Sequence, residues 1–331
     1  MNWLTFKIAV YNILSFPLKW YRNKYVPLYC HVGWPPKEWL TDYEEVSELI
    51  YGLLVNNTPC LIGRYGANEF QCMVNFMKNS HPLWFLRNIF PFWAESSNLV
   101  AMNNNAGFFS PDGYKAYSRF ADLYFDSAKE IDVLACWFKN QEVIEQQMNY
   151  KICWLLSIEP WWMKNPWTRC LKGKNVLVVH PFAESIKSQY QKRELLFDNP
   201  YVLPEFASLT VIKAVQSIGG DSNEFRDWFE ALHSMEEQID MVDYDVALIG
   251  CGAYGLPLAA HCKRQGKKAV HLGGALQLLF GIKGNRWEKD SYGKGWPGIN
   301  YPKLFDNPNW VRPIETERPK SANQVEEGCY W

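Results

Sequence analysis

The sequence lacks a strong net charge, a long apolar run and a cysteine motif for metal binding. Its 331 residues include 34 Lys and Arg against 35 Asp and Glu, so the formal net charge is -1. A chain without an overall basic field is not typical of a nucleic-acid binder, and we expect no nucleic-acid partner.

The 9 cysteines include no Cys-x-x-Cys pair. This argues against a zinc knuckle and predicts reduced thiols in the cytoplasm.

The first 35 residues are rich in aromatic and basic side chains, and they end at Pro35-Pro36. The apolar stretch from Ile8 to Leu18 is too short to span a membrane and is not followed by a small-residue cleavage site. Residues 1–26 suit a segment lying in a membrane interface, and a helix packed on the following domain is an equal alternative. We therefore predict a leader over 1–35 and one α/β catalytic domain over 36–331.

Apolar periodicity predicts strands that alternate with helices along the domain. The predicted strands are Cys60–Arg64, Ile131–Trp137, Asn175–His180, Leu209–Ala214, Asp245–Ile249 and Lys268–Leu272. The segment 79–110 is predicted to be a long aromatic-rich insertion, and 140–172 a broken helical region. The segment 285–331, rich in Trp and Pro, is predicted to be an ordered tail that wraps the surface. This alternation predicts a Rossmann-like, mostly parallel sheet with helices on both faces.

Polar residues follow the first predicted strand, where a helix begins. Arg64, Gly66, Asn68 and Glu69 lie at this position. Ligands bind at the carboxyl edge of open α/β sheets, and an arginine there can hold a phosphate through two hydrogen bonds. We interpret the four residues as substrate-binding candidates. A local ion pair between Arg64 and Glu69 is an even alternative.

A second polar group follows the strand that ends at His180. A histidine at a strand end can act as a base or as a hydrogen-bond donor to a substrate. The helix that follows carries Glu184, Ser185 and Lys187, with Arg193 beyond them. Ser185, Lys187 and Arg193 are candidates for phosphate contacts, and Glu184 is a further substrate-binding candidate. The alternative is a solvated helix beside a histidine that packs at the sheet edge.

A glycine-rich turn follows the strand at 245–249. Gly250, Gly252 and Gly255 match Gly-x-Gly-x-x-Gly, with Tyr254 inside the pattern. After a strand and before a helix, this spacing is the dinucleotide-binding fingerprint. The next strand ends at His271 instead of the Asp or Glu that would hold a ribose, which weakens a nicotinamide interpretation. The glycines still allow close approach of a phosphate or a ribose to the backbone.

A further turn at the end of the last strand adds His271, Gly273, Gly274 and Gln277 as candidates. Because carboxyl ends of parallel strands meet at one edge, three glycine-bearing turns predict one shared ligand crevice.

At this point a family resemblance can be given. The segment Arg64-Tyr-Gly-Ala-Asn-Glu69 resembles the Arg-Phe-Gly-Asp-Gly-Glu segment of bacterial glycosyltransferases with the GT-D fold. The strand, glycine turn, helix and strand through Gly250–Gly273 resemble the end of that fold. The resemblance implies a hexosyltransferase. Its donor would be a nucleotide-diphosphate sugar, expected to be UDP-linked, and its acceptor a surface-polysaccharide or glycoprotein glycan, with a lipid-linked glycan as one form.

The resemblance also implies Mn²⁺ or Mg²⁺ as a cofactor, held by an Asp-x-Glu pair. Here Glu69 keeps the glutamate, and the aspartate position is Ala67, which counts against metal dependence. Asn68 offers an oxygen ligand. Arg64 and helix N-termini are an alternative means of neutralising the diphosphate. The acceptor hydroxyl needs a base, for which His180 is the first candidate and Glu69 the second.

Two other functions compete with this one. The first is an NAD(P)-dependent oxidoreductase that uses the Gly250–Gly255 turn. The second is a non-catalytic scaffold held at a membrane surface by the leader. The glycosyltransferase interpretation predicts a cytoplasmic enzyme, peripheral on the inner face of the membrane through residues 1–26.

Overall fold

The fold is known from a computed structural model that describes residues 39–76, 96–137, 144, 148–217, 224–288, 298–319 and 330. The leader at 1–35, the membrane contact expected within it and the first part of the insertion expected at 79–110 lie outside these residues.

A sheet of seven parallel strands forms the centre of the described fold. The strands are β1 (Cys60–Arg64), β2 (Val133–Cys136), β3 (Lys151–Trp154), β4 (Asn175–His180), β5 (Ser208–Lys213), β6 (Val246–Ile249) and β7 (Lys268–His271). Their order across the sheet is β3-β2-β1-β7-β6-β4-β5. The described fold is therefore α/β, and every strand pairing in it is parallel.

Helices connect these strands. They are α1 (Tyr43–Val55), α2 (Ala67–Phe76), α3 (Ser96–Ala106), α4 (Tyr114–Ala128), α5 (Ala183–Tyr190), α6 (Trp228–Asp240), α7 (Gly255–Arg264), α8 (Leu276–Leu279), α9 (Asn285–Glu288) and α10 (Tyr301–Phe305). None of the helices in the described ranges is both long enough and apolar enough to cross a membrane.

Apolar side chains cover both faces of the sheet, because successive strand residues point to opposite sides. On β1, Leu61 belongs to the core that includes helices α2, α3, α4, α6 and α7. Its neighbour Ile62 belongs to the opposite core, which includes α1, α5 and α8. This burial on both sides explains why the strands are nearly continuous apolar runs.

The direction in which successive strands are added to the sheet changes between β4 and β6. From β4 the chain crosses through α5 to β5, and from β6 it crosses the other way through α7 to β7. The two crossovers therefore lie on opposite faces and leave a crevice between the carboxyl ends of β4 and β6. Ligands bind at such a topological switch point in open α/β sheets.

The structure confirms the six predicted strands, with ends that differ by at most two residues. The prediction of a helical region over 140–172 is wrong at Lys151–Trp154, which is the edge strand β3. A short continuous apolar run cannot be assigned to strand or helix by periodicity alone. The insertion expected at 79–110 contains helix α3, and helix α6 begins at Trp228 with Asp227 as its N-cap.

Candidate functional site

The candidate residues after β1, β4, β6 and β7 meet at the carboxyl edge of the sheet. A Cβ atom on Gly273 would lie 3.3 Å from Cδ and Nε of Arg64. A Cβ atom on Gly250 would lie 2.5 Å from the carbonyl oxygen of Gly273 and 3.1 Å from Cδ2 of His180. Arg64, Gly273, Gly250 and His180 are therefore consecutive neighbours across this edge.

The backbone conformation at positions 273 and 252 favours glycine. Their φ angles are +60° and +57°, a region that side chains with a Cβ enter at a cost. Gly252 is exposed at the start of the 3-10 turn Gly252–Tyr254, immediately before helix α7. Its backbone is thus open to a ligand at the switch point.

Arg64 ends β1 and is partly exposed. Its guanidinium carbon lies 5.9 Å from the centre of the Trp137 ring, and a cation over an aromatic face is attracted to it. Within the described ranges, no hydrogen bond or ion pair engages the guanidinium, so the alternative of an ion pair with Glu69 is not formed. A cation of this kind at a strand's carboxyl end can receive an anionic ligand.

Glu69 turns back over the start of its own helix. It is buried in the first turn of α2, and a Cβ atom on Gly66 would lie 2.0 Å from its Oε2 atom. Gly66 therefore provides the space for this carboxylate. Asn68 contributes its backbone carbonyl to a hydrogen bond from Nδ2 of Asn98, 3.1 Å away.

The donor set at the start of α2 does not fit the divalent ion that the resemblance implies. Ala67 has no ligand atom, and the Glu69 carboxylate packs against the Cα of Gly66. Among the described residues, no group of three or more His, Cys, Asp and Glu side chains is placed to hold a metal ion. The sheet edge instead offers Arg64 and backbone N–H groups as partners for negative charge.

His180 lies at the end of β4 and is buried. Its Nδ1 accepts a hydrogen bond from the backbone N–H of Phe182 at 3.0 Å. Burial lowers the pKa of His180 to about 3, so the ring is neutral at pH 7. A neutral ring whose Nδ1 is an acceptor carries its proton on Nε2. His180 is thus arranged to donate a hydrogen bond, which suits a substrate contact better than the base role expected from the sequence.

His271 at the end of β7 has the opposite arrangement. Its Nδ1 lies 3.2 Å from the carbonyl oxygen of Ile249 and donates to it, which leaves Nε2 as an acceptor. Burial and then the nearby Arg64 lower the pKa of His271 to about 3. The ring packs against Gly255, where a Cβ atom would lie 2.1 Å from Cε1 of His271. His271 therefore joins β7 to the start of α7.

Two candidates are placed in the protein core. The Tyr254 ring is 2% exposed and stacks on Trp228 with centroids 4.8 Å apart. Gln277 is fully buried, and its Nε2 donates to the carbonyl oxygens of Ile282 and Lys283. Both side chains support the turns from behind.

Gly274 lies against the ring of Tyr330, which a Cβ atom on Gly274 would approach to 2.2 Å.

The N-terminus of α5 already holds a carboxylate. Glu317 accepts hydrogen bonds from the backbone N–H of Glu184 at 2.7 Å and from the Ser185 hydroxyl at 2.5 Å. A helix N-terminus attracts anions, and here the anion belongs to the chain itself. The backbone of Glu184 and the hydroxyl of Ser185 are therefore occupied, and a phosphate would have to displace Glu317.

The basic residues of this region pair with neighbouring acids. Lys187 lies 2.8 Å from the Glu184 carboxylate, and Arg193 lies 3.0 Å from that of Glu194. Neither side chain takes part in the chain of contacts from Arg64 to His180.

Sequence reasoning missed two buried acidic residues, Glu317 and Glu159, near the carboxyl edge of the sheet. Glu317 lies in the segment interpreted only as a surface tail. Glu159 follows an apolar run, Leu155–Ile158, at the carboxyl end of β3, and no pattern in the sequence singled it out. The one local feature of Glu159 in the sequence is its position between this apolar run and Pro160.

No family model matches the chain, and neither comparison with curated proteins nor comparison with solved structures finds a match. The case for a function therefore depends on the residues at the sheet edge.

Proposed function

We propose that the protein is a hexosyltransferase that transfers a sugar from a nucleotide-diphosphate donor, of the UDP-sugar class, to a glycan acceptor. The observation that supports this most is the series of contacts from Arg64 through Gly273 and Gly250 to His180. It brings to one edge a cation that no described residue hydrogen-bonds or pairs with by charge, an open glycine backbone and a ring N–H donor. This set suits a ligand with a diphosphate and several hydroxyl groups.

Sugar transfer needs stabilisation of the negative charge that develops on the leaving diphosphate. Preorganised cations and N–H groups meet this need because they require no reorganisation during the reaction. In our proposal Arg64 holds the diphosphate, and the backbone of the turn at Gly252 approaches it from α7. The Nε2–H of His180 donates to a donor hydroxyl or phosphate oxygen. The glycosyltransferase resemblance of the 64–69 segment and of the Gly250–Gly273 turns supports the same assignment.

The competing oxidoreductase is less well supported. The position that would hold a ribose-binding carboxylate, at the end of the strand after the glycine turn, carries His271, whose ring packs on Gly255. No carboxylate follows within that turn, which runs Leu272-Gly273-Gly274.

We further propose a cytoplasmic setting, with residues 1–26 as the contact to the membrane and a lipid-linked glycan as one possible acceptor. The seven cysteines that the structure describes are all free, which agrees with a reducing compartment. Loss of liposome binding on deletion of 1–26 is the expected result, and unchanged binding would remove the leader from this role.

A thermal-shift panel tests the function. UDP, GDP, CMP, UDP-sugars and NAD(H) are each added to the wild-type protein, with and without Mn²⁺. We expect a nucleoside diphosphate or its sugar to raise the Tm by mass action, because a ligand that binds only the folded state stabilises it. A shift with NAD(H) alone would favour the oxidoreductase, and no shift with any nucleotide would contradict the proposal.

A further inference from the structure

Glu159 occupies the same edge of the sheet as Arg64, on the side away from His180. It follows β3 and the 3-10 turn Leu155–Ile158, and only β2 separates β3 from β1. The side chain is 4% exposed. A buried carboxylate is costly unless its oxygens are paired, so its contacts indicate what it is for.

Within the described part of the chain, hydrogen bonds reach only one oxygen of Glu159. Oε2 accepts hydrogen bonds from the hydroxyl of Tyr301 at 2.6 Å and from the indole Nε1–H of Trp162 at 2.8 Å. No residue in the described ranges hydrogen-bonds Oε1, and none forms an ion pair with the carboxylate. The two donors fix the orientation of the group and leave Oε1 available.

The electrostatic setting matches a group that exchanges a proton near neutral pH. Burial raises the pKa of Glu159 to about 7, although the hydrogen bonds from Tyr301 and Trp162 and the charge of Arg64 act in the opposite direction. Shifts of this size are typical of acid–base groups in active sites. The charge of Arg64 favours the ionised form of Glu159.

Aromatic rings surround this carboxylate. The rings of Trp162 and Tyr301 meet edge to face with centroids 5.0 Å apart, and both donate to Glu159. Tyr43 is close enough that the Glu159 charge raises its pKa, after the larger effect of burial. Trp162 and Tyr43 are half-buried. Flat apolar rings with polar edges suit the C–H face of a sugar.

We propose that Glu159, Trp162 and Tyr43 form the subsite for a saccharide acceptor, in which Oε1 of Glu159 takes the proton of the attacking hydroxyl. The fully buried Tyr301 holds the carboxylate from behind through its hydroxyl. This inference rests on the proposed sugar transfer. The acceptor oxygen forms a bond to the anomeric carbon, and the bond from that carbon to the diphosphate oxygen breaks. Its electron pair stays on the diphosphate beside Arg64, and the hydroxyl proton moves to Glu159.

The test uses Glu159→Gln in the full chain, with the UDP-sugar that gives the largest thermal shift as donor. Release of UDP is measured with water or with a panel of mono- and oligosaccharides as acceptor. We expect the variant to bind the donor as the wild type does and to release UDP 10²- to 10⁴-fold more slowly. Gln keeps an oxygen for Tyr301 and Trp162, and Glu237→Gln on the exposed face of α6 is the matched control.

The pH profile separates a chemical role from a structural one. In the wild type the rate of UDP release rises with pH through a limb near 7, and Glu159→Gln loses this limb. Tyr301→Phe removes one donor to the carboxylate, so the limb moves to higher pH. An effect on packing alone would lower the rate equally at every pH.

The outcomes distinguish the two proposals. If the wild type binds and turns over a UDP-sugar and Glu159→Gln does so at a similar rate, the acceptor subsite is wrong and the sugar transfer stands. If no nucleotide shifts the wild type, both are wrong. If Glu159→Gln unfolds, the Tyr301→Phe profile decides, and an unmoved limb overturns the role of Glu159.

Discussion

The side chain of Arg64 lies directly across Gly273, although 208 positions separate them in the sequence, from 64 to 273 with both ends excluded. A Cβ on Gly273 would come within 3.3 Å of Cδ and Nε of Arg64. The absence of a side chain at Gly273 therefore leaves room for the arginine over the carboxyl end of β7. This relationship makes the glycine part of the proposed diphosphate site.

Substitution Gly273→Ala tests that relationship. We expect a loss of stability of about 1 kcal/mol from the positive φ, together with a displaced Arg64 and a nucleotide affinity at least tenfold weaker. Gly266→Ala is the control, because Gly266 has φ +78° and no atom within 4 Å of its Cβ position. Both variants should lose stability in urea unfolding, and only Gly273→Ala should lose affinity. Equal affinities would contradict the contact's role.

The two buried histidines predict acid sensitivity. The pKa values of His180 and His271 are lowered to about 3 in the folded state, whereas an unfolded histidine titrates near 6.5. As pH falls below about 6.5, the unfolded chain binds protons that the folded chain does not. Stability therefore falls, by up to about 1.4 kcal/mol per pH unit for each ring.

Urea unfolding between pH 7 and 4 measures this dependence. His271→Asn can still donate to the carbonyl of Ile249. As pH falls, its free energy of unfolding should decrease less steeply than that of the wild type, by the contribution of one bound proton. The exposed His233 supplies the control His233→Asn, which removes an imidazole from the surface. An unchanged slope in His271→Asn would show that folding does not lower the pKa of His271.

The hydrogen bonds of Glu317 predict that its removal lowers the stability of the fold without changing ligand binding. Glu317→Ala leaves the N–H of Glu184 and the hydroxyl of Ser185 without their acceptor, which should lower the free energy of unfolding by about 1–3 kcal/mol. Glu315→Ala is the control, because Glu315 lies in the same turn and contacts only Arg318, at 3.6 Å, among the described ion pairs.

The nucleotide-induced thermal shift of Glu317→Ala should equal that of the wild type, since the proposed diphosphate site lies at β1, β6 and β7. A larger shift, or a new shift with inorganic phosphate, would show that anions compete with Glu317 for the start of α5.

Glu159 predicts a second pH dependence, with the opposite sign. Its pKa is raised from 4.5 to about 7 on folding, so between these values the folded state binds a proton that the unfolded state has lost. The contribution of Glu159 to the free energy of unfolding is fully present below pH 4.5. It is lost as pH rises to about 7, and the loss is about 3 kcal/mol in total.

Relative to wild type, Glu159→Gln should therefore become more stable as pH is raised from 5 to 8. Chemical unfolding at several pH values measures the difference, and Glu237→Gln should show none. A difference that does not vary with pH would mean that Glu159 titrates at its ordinary value.

The central strands, which are buried on both faces, were predictable from their sequence. Val-Leu-Val-Val before His180 and the run before Gly250 are continuous apolar segments bounded by turns, and both are strands of the sheet. The edge strand β3 was missed because its four residues continue without a break into the apolar turn Leu155–Ile158. Length and periodicity do not separate such a run from a helix.

The site was predictable only where a turn follows a strand. Arg64, Gly250 and Gly273 stand directly after strands, so their meeting at one edge followed from parallel pairing. Glu317 and Glu159 depend on distant partners, 132 and 142 positions away for Ser185 and Tyr301. Those pairings are set by packing of the C-terminal segment. Periodicity also could not show that Tyr254 stacks on Trp228 in the core.

Calorimetric titration of UDP into wild type, Arg64→Ala and Arg264→Ala tests the central claim most directly. Arg264 ends α7 near the amino edge of the sheet and pairs with Glu130 at 2.9 Å, so it serves as the matched loss of one cation. The account predicts that wild type and Arg264→Ala bind UDP with similar Kd and that Arg64→Ala binds at least tenfold more weakly. Equal Kd values for all three proteins, or no binding by the wild type, would contradict it.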